Sequence, residues 1–294
     1  MANMIDRNSD LVHPREFEEQ ADYRAYFFGP FRVFRRGQQL VDESKRRRKA
    51  LMILKWFLLN PGKTCSADEF IELFWPDSSP RTALGNFHVT MHSLRRMLEP
   101  DLHPRQESAF IRRGPNSFYR FELGESWWTD TGDLELLFGR AQECDAANAT
   151  SRACFYYRRV ASYCALGFLP EDDAEELLAP YRRRYHQVHT QALMRLMELH
   201  MTGSELEELL ECAYQMLQVD PYNELATRVI ADSLLQSGKP ARAYRRVQQF
   251  CKALEHDLGV HPTKELYELR DRIQAALAGQ NGAPSSLSSV VSRL

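Results

Sequence analysis

His88, His92 and Arg96 recur at intervals of four within the stretch "NFHVTMHSLRRML", residues Asn86 to Leu98. Two imidazoles at i and i+4 share one helix face, the arrangement in which paired histidines hold a metal ion. The metalloprotease form of that pair needs a glutamate directly after the first histidine, and Val89 occupies the place. His186 and His189 form a second pair, at i and i+3, with no cysteine beside them. Neither a G-x-S-x-G turn, nor a Walker A loop, nor a recognisable nucleophile–base pattern occurs along the chain. The sequence therefore predicts no catalytic residue, no metal and no cofactor. The protein reads as something other than an enzyme.

A different chemistry fits the same stretch. With successive residues placed 100° apart, Leu84, Phe87, Met91, Leu94 and Leu98 fall in a stripe about 80° wide, the expected core face. The opposite arc holds Thr82, Gly85, Val89, His92, Ser93 and Arg96, with Arg81 and His88 on one flank and Asn86 on the other. That arc contains no acidic residue, whereas a merely solvated helix face interleaves glutamate with lysine. An acid-free face can approach phosphates and enter a B-DNA major groove about 12 Å wide. Within a groove, Arg96 suits guanine edges or phosphate, Asn86 suits adenine, and Val89 suits a thymine methyl.

Such a helix works only if neighbouring elements hold it. "AYFFGPFRVFRRGQQLV" reads as strands, aromatic and β-branched, with a hairpin turn near Arg36-Gly37. "KALMILKWFLLNPG" is a strongly apolar helix with a Pro-Gly stop. "SADEFIELFWP" begins with Ser66 and has Glu69 three residues on, the signature of a capping box. The third helix, roughly Arg81 to Leu98, follows the Pro-bounded loop "WPDSSPR". "AFIRRGPNSFYRFEL" then alternates as two strands around Gly114-Pro115-Asn116, a basic hairpin that would carry Arg112, Arg113 and Asn116 to a DNA backbone or minor groove. The order is sheet, three helices and hairpin. It predicts an α+β winged helix-turn-helix with an added N-terminal β-sheet. "KRRRK", Lys45 to Lys49, adds five cations at the start of the first helix, a generic phosphate patch.

From Thr129 onward the periodicity is helical almost throughout, interrupted by loops such as "GFLPEDD" and "DLGVHP". Two similar breaks, "VDPYNE" and "GVHPTKE", each place a proline just ahead of a helix. Ala226, Ala231, Ala241 and Ala243 would let neighbouring helices approach closely. The pattern predicts an all-α, tetratricopeptide-like helical domain. We divide the 294 residues into a leader at 1–24, the winged domain at 25–124, the helical domain at 125–278 and a polar tail at 279–294.

Composition is consistent with that division. A net charge of −2 conceals +7 between Ala25 and Leu123, flanked by −3 before it and −6 after it. A basic segment joined to acidic ones suits a polyanionic partner. No apolar run approaches the roughly 20 residues of a membrane span, and the polar N-terminus lacks the apolar stretch of a signal peptide. A cytoplasmic protein with no membrane partner follows. The six cysteines include no C-x-x-C pair, so reduced and mostly buried thiols are expected.

The segments "FFGPFRVFRRGQQL", "RRKALMILKWFLLNPGKTCSADEFIELFWPD", "NFHVTMHSLRRML" and "FIRRGPNSFYRFEL" resemble the DNA-binding domain of SARP-type (antibiotic regulatory protein) activators, which share the winged helix of OmpR-type response regulators. "YCALGFLPEDDAEELLAPYRRRY" and "ATRVIADSLLQSGKPARAYRRVQQFCKALEHDLGVHPTKELYEL" are similar to the bacterial transcriptional activator domain that follows it there. The resemblance covers roughly Tyr26 to Leu277. It implies a nucleoid-associated activator that binds direct-repeat sites on double-stranded DNA, two protomers side by side as a homodimer, and recruits RNA polymerase through its sigma or alpha subunit. Carried over by position, it puts Asn86 to Arg96 on the recognition helix and Arg112 to Asn116 on the wing. It puts Trp75 to Pro80, with Trp75, Asp77, Ser78 and Ser79, in a polymerase-contact loop. The chain departs from the pattern at Ser93, where family members carry a basic residue ahead of the "LRR" stretch. The alternative reading is a helical-repeat adaptor whose winged domain binds protein instead of DNA.

Overall fold

The computed structural model describes residues 18–40, 48–103, 106–172, 175–203 and 205–281, without the side chains of residues 116, 280 and 281. Most of the expected leader, most of the expected tail and residues 45–47 of the basic run lie outside them. The described residues form two compact units. The first comprises 1–139 with 163–183, and the second comprises 140–162 with 184–294.

In the first unit, β1 (Tyr23–Tyr26), β2 (Arg32–Arg35) and β3 (Gln38–Gln39) are antiparallel neighbours, with Tyr23 opposite Arg35 and Phe34 opposite Gln39. Arg36 (φ 49°) and Gly37 (φ 82°) make the β2–β3 turn. Two successive positive φ values match the right-handed twist of the strands, which is why glycine sits there. Three helices follow: α1 (Arg48–Leu59), α2 (Ala67–Phe74) and α3 (Pro80–Leu98). The capping box ahead of α2 is present, with Ser66 Oγ accepting from the Glu69 N–H at 3.1 Å and Glu69 Oε2 accepting from the Ser66 N–H at 2.6 Å. Between α1 and α2, β4 (Cys65–Ser66) pairs with β6 (Phe118–Phe121), and β6 pairs with β5 (Ile111–Arg113). The wing is thus a three-stranded sheet, one strand more than the sequence predicts.

β7 (Trp127–Thr129) is a second addition. It lies parallel to β1, Tyr23 opposite Trp127, and completes a sheet in the order β3-β2-β1-β7. The sequence offers no turn signal for this pairing, because its partner is about a hundred residues away. Trp127 stacks on Tyr23 (ring centroids 4.6 Å apart) and meets Phe121 and Phe110 edge-on, so one indole joins the two sheets. Tyr23 also donates its hydroxyl to the Leu98 carbonyl at 2.8 Å, tying the end of α3 to β1.

Residues 163–183 belong to this unit through specific bonds. The Gly29 N–H donates to the Gly167 carbonyl, the Leu169 N–H donates to the Phe27 carbonyl, and the Phe31 N–H donates to Glu171. Lys55, which is 6% exposed on the apolar α1, pairs with Asp172. A lysine buried among leucines requires such a partner, because an unpaired buried charge is strongly destabilising. The segment read as an interrupting loop is therefore a strap that satisfies a buried cation and backbone donors of the winged core.

α4 (Asp130–Ala146), α5 (Thr150–Cys164) and α6 (Ala179–Gly203) each contribute residues to both units. The second unit continues with α7 (Leu206–Val219), α8 (Glu224–Gln236), α9 (Pro240–Ala253) and α10 (Lys264–Asn281). α10 runs through Asn281, so residues 279–281, expected in the tail, are helical. Consecutive helices pack on one another in tetratricopeptide-like fashion around Ala231, Ala243, Val247, Phe250, Leu266, Leu269 and Ile273. Ala226, Ala231 and Ala243 are fully buried as expected, but Ala241 faces solvent. Burial pushes the Cys164 thiol up to about 12 and Cys212 up to about 11, which removes thiolate reactivity at both near neutral pH.

Candidate nucleic-acid interface

α3 is held from beneath by Ala83, Phe87, Met91, Leu94 and Leu98, all buried. The Phe87 ring stacks on Phe70 of α2 (5.8 Å) and meets Tyr119 of β6 edge-on (5.2 Å). Leu84, expected in the core stripe, is 43% exposed. It lies 60° from Phe87 on the wheel, at the stripe's edge, while Ala83 lies nearer on the other side and takes the buried place. At its start α3 is capped by Ser79, whose Oγ accepts from the Thr82 N–H at 3.4 Å, and Pro80 occupies the first turn. There the missing proline N–H costs nothing.

Outward, Arg81, Asn86, His88, Val89, His92 and Arg96 are all exposed and Ser93 is half-buried. Val89 is 70% exposed, an apolar side chain with nothing to cover it among the described residues. Together these residues make one acid-free surface along α3, as the helical wheel requires. Arg95 turns aside, its guanidinium 5.9 Å from the Tyr119 ring. Its aliphatic stem belongs to the core margin and its charge to the border between α3 and the wing.

The wing is uneven. Arg113 is exposed and donates to Ser117 Oγ at 3.1 Å, which holds its guanidinium near the tip. Arg112 is half-buried and lies 3.7 Å from both Glu107 and Glu122, so its charge is already partly answered. Arg120, which the sequence reading passes over, pairs with Glu122 at 2.6 Å and lines the same surface. A cleft of about 610 Å³ opens here between Thr64, Arg112, Arg113, Pro115, Phe118 and Arg120. Phe118 is 39% exposed within it. The outward alternation of β6, Phe118 and Arg120 against buried Tyr119 and Phe121, is the signal that could have found these residues. Asn116 lies in the 3₁₀ turn Pro115–Ser117, and its side chain falls outside the described part.

Of the loop between α2 and α3, Trp75 is only 7% exposed. Its ring meets Phe87 at 87° and carries the Lys49 ammonium 5.0 Å above it. Trp75 is thus an anchor beneath the loop. Asp77 and Ser79 are exposed and Ser78 is half-buried. Of the basic run, Arg48 pairs with Glu175 and Lys49 with the Phe74 carbonyl, so both described members are engaged within the fold. Among the described residues no group of three or more His, Cys, Asp or Glu side chains could hold a metal, and no helix is long and apolar enough to cross a membrane.

Comparison with known proteins adds an independent line. The bacterial transcriptional activator domain family matches residues 129–274. Regulatory protein AfsR of Streptomyces coelicolor is 26% identical over 269 residues, which span 90% of this chain and 25% of that protein. Regulatory protein AfsR of Streptomyces griseus is 26% identical over 253 residues, 84% of this chain and 24% of the relative. The chain therefore spans about a quarter of the length of the curated relatives it matches. Among solved structures, Mycobacterium tuberculosis EmbR in complex with low affinity phosphopeptide superposes with a TM-score of 0.68 at 17% identity, over 89% of this chain and 69% of that one. That likeness shows a shared fold, a small β-rich region followed by a largely helical one.

Proposed function

We propose that this SARP-type chain, whose residues 129–274 form a bacterial transcriptional activator domain, is a sequence-specific DNA-binding regulator of transcription. The observation that carries this reading is the acid-free outward face of α3, fixed from below by a fully buried apolar stripe. α3 lies in a major groove, with Arg96, Asn86 and Val89 towards base edges and Arg81, His88, His92 and Ser93 beside them. The wing meets the backbone through Arg113, with Arg112 and Asn116 in support. The functional division at 25–124 and 125–278 puts base reading and the polymerase-contact loop in the first part and the bacterial transcriptional activator domain in the second. Two protomers bind a direct repeat side by side as a homodimer in the cytoplasm, at the nucleoid. Asp77, Ser78 and Ser79, on the loop anchored by Trp75, contact the sigma or alpha subunit of RNA polymerase.

DNA affinity measured against salt tests the reading. Contact with about 6 phosphates makes log K fall with log salt at a slope near −5. Arg96→Ala is expected to lose roughly 1–3 kcal/mol on a selected site and much less on random duplex, relaxing sequence preference. Arg113→Ala should weaken both duplexes alike and make the slope shallower by about 0.9. Equal losses on both duplexes for Arg96→Ala would reassign that side chain to phosphate. Asp77→Ala should leave DNA affinity intact and reduce output from a reporter bearing a bound site. Loss of DNA affinity as well would remove the loop from polymerase contact.

A second reading rests on a groove of about 370 Å³ in the helical unit, lined by Met201, Leu206, Leu225, Val229, Leu269 and Arg272. Helical hairpins use such concavities to hold other proteins. Salt-insensitive or undetectable DNA affinity would favour that adaptor reading over the regulator.

A further inference from the structure

Although residues 124–294 carry a net charge of −6, α9 carries only cations: Arg242, Arg245, Arg246 and Lys252, with no acid between Pro240 and Ala253. The helix buries Pro240, Ala243, Val247 and Phe250. Its opposite face exposes Ala241, Arg242, Arg245, Gln248, Gln249 and Lys252, with Arg246 half-buried at the margin. At 100° per residue, Arg242, Arg245, Gln249 and Lys252 fall in one stripe about 80° wide and about 15 Å long. None of the four cations has an ion-pair partner among the described residues. Some other cations of the unit are paired within it. Arg195 is held by Asp145 and Glu198, and Arg272 by Asp232.

We infer that this stripe of α9 is a second DNA-backbone contact, made by the activator domain itself and independent of base sequence. The inference rests on the DNA-binding reading above and extends it to a surface outside the winged helix. Two features select a nucleic-acid backbone over an acidic protein. Every polar side chain in the stripe donates hydrogen bonds, which suits phosphate oxygens. A protein interface concentrates its energy in a desolvated apolar or aromatic anchor, whereas the largest exposed apolar side chain on α9 is the methyl of Ala241. B-form DNA presents one charge per about 1.7 Å of axis, both strands counted, so a row about 15 Å long comes within reach of several phosphates.

The test uses the full chain and a labelled random-sequence duplex, with anisotropy read over a range of potassium chloride concentrations. Arg242→Gln/Arg245→Gln/Lys252→Gln is expected to make the log–log slope less steep by between about 2 and 3, at 0.9 per lost contact. Arg242→Lys/Arg245→Lys should keep the parental slope, since a phosphate contact needs the charge and not the guanidinium. If the triple variant fails to fold, Arg245→Gln alone should shift the slope by about 0.9. An unchanged slope in the glutamine variants, with Arg113→Ala still shallower, overturns the α9 contact while sparing the winged-helix reading. That result would also be produced by an α9 that faces an acidic protein. Salt-insensitive binding by the parent chain overturns both.

Discussion

Phe87→Ala is expected to lower the unfolding free energy by about 3–5 kcal/mol, the range for emptying a buried phenylalanine site. The ring is 0% exposed, stacks on Phe70 at 24°, stands edge-on to Tyr119 at 79° and meets Trp75 at 87°. Those three neighbours come from α2, from the wing strand β6 and from the loop after α2. Local collapse cannot fill the space, because Phe70 is fixed by Trp56 and Phe57, Trp75 by Phe74, and Tyr119 lies in β6 beneath Arg95 and Arg113. Denaturant unfolding checks the magnitude. Phe87→Leu, which leaves a smaller cavity, should recover part of the loss. DNA affinity measured where the variant is still folded should fall too, because the same ring sets the height of α3. Full affinity in a destabilised but folded variant would show that α3 is positioned from elsewhere, with the Tyr23–Leu98 bond the next candidate.

The second large effect belongs to Asp130, the first residue of α4 and 1% exposed. Its carboxylate accepts from the Phe27 N–H at 2.7 Å and the Phe28 N–H at 2.9 Å, where the chain leaves β1. One carboxylate thus accepts from two successive N–H groups just past β1, beside the antiparallel bridge between Phe28 and Phe168. Asp130→Asn leaves one acceptor oxygen and adds two donors, with an expected loss of roughly 1–3 kcal/mol. Burial pushes the Asp130 carboxyl up to about 7, against the pull of the backbone N–H groups of Phe28, Phe27 and Thr131. An acid whose folded pKa lies above its unfolded value of about 3.9 binds its proton more tightly in the folded state. Its contribution to stability therefore falls as pH rises from about 4 to about 7 and is level above that. Asparagine does not titrate, so the gap between the two proteins should be wider at pH 5 than at pH 8. Chemical unfolding at both values reads this directly. A gap independent of pH would leave Asp130 as an acceptor without a titration role.

Much of the fold is written in local pattern. The apolar period of α1, the Ser66–Glu69 box, the Arg36-Gly37 turn and the alternation of β5 and β6 each need only neighbours a few residues away. The site is legible to the same extent. Acid-free outward residues on α3 follow from a wheel, and Arg113 at a hairpin tip follows from a Gly-Pro turn. What escaped was decided at the margins. Leu84 and Ala83 exchange places because a wheel gives angles and not the position of the neighbouring helix. Trp75 reads as a loop residue and is a buried anchor, since an aromatic beside a proline carries no mark of which way its ring turns. Arg112 reads as a free cation and sits between Glu107 and Glu122, a pairing made only once β5 lies against β6.

By itself the sequence determined the order of the three winged-domain helices and the β5–β6 hairpin, the acid-free face of one helix and the concentration of positive charge around it, because period, caps and turns act over a few residues. Only the tertiary structure decided that β7 lies beside β1, that Asp130 accepts from the N–H groups of Phe27 and Phe28, and that residues 163–183 strap the winged core through Asp172 and Lys55. Each of these joins groups about a hundred residues apart. The choice of partner rests on which buried charge or donor would otherwise go unsatisfied, and no window along the chain contains both halves of that choice.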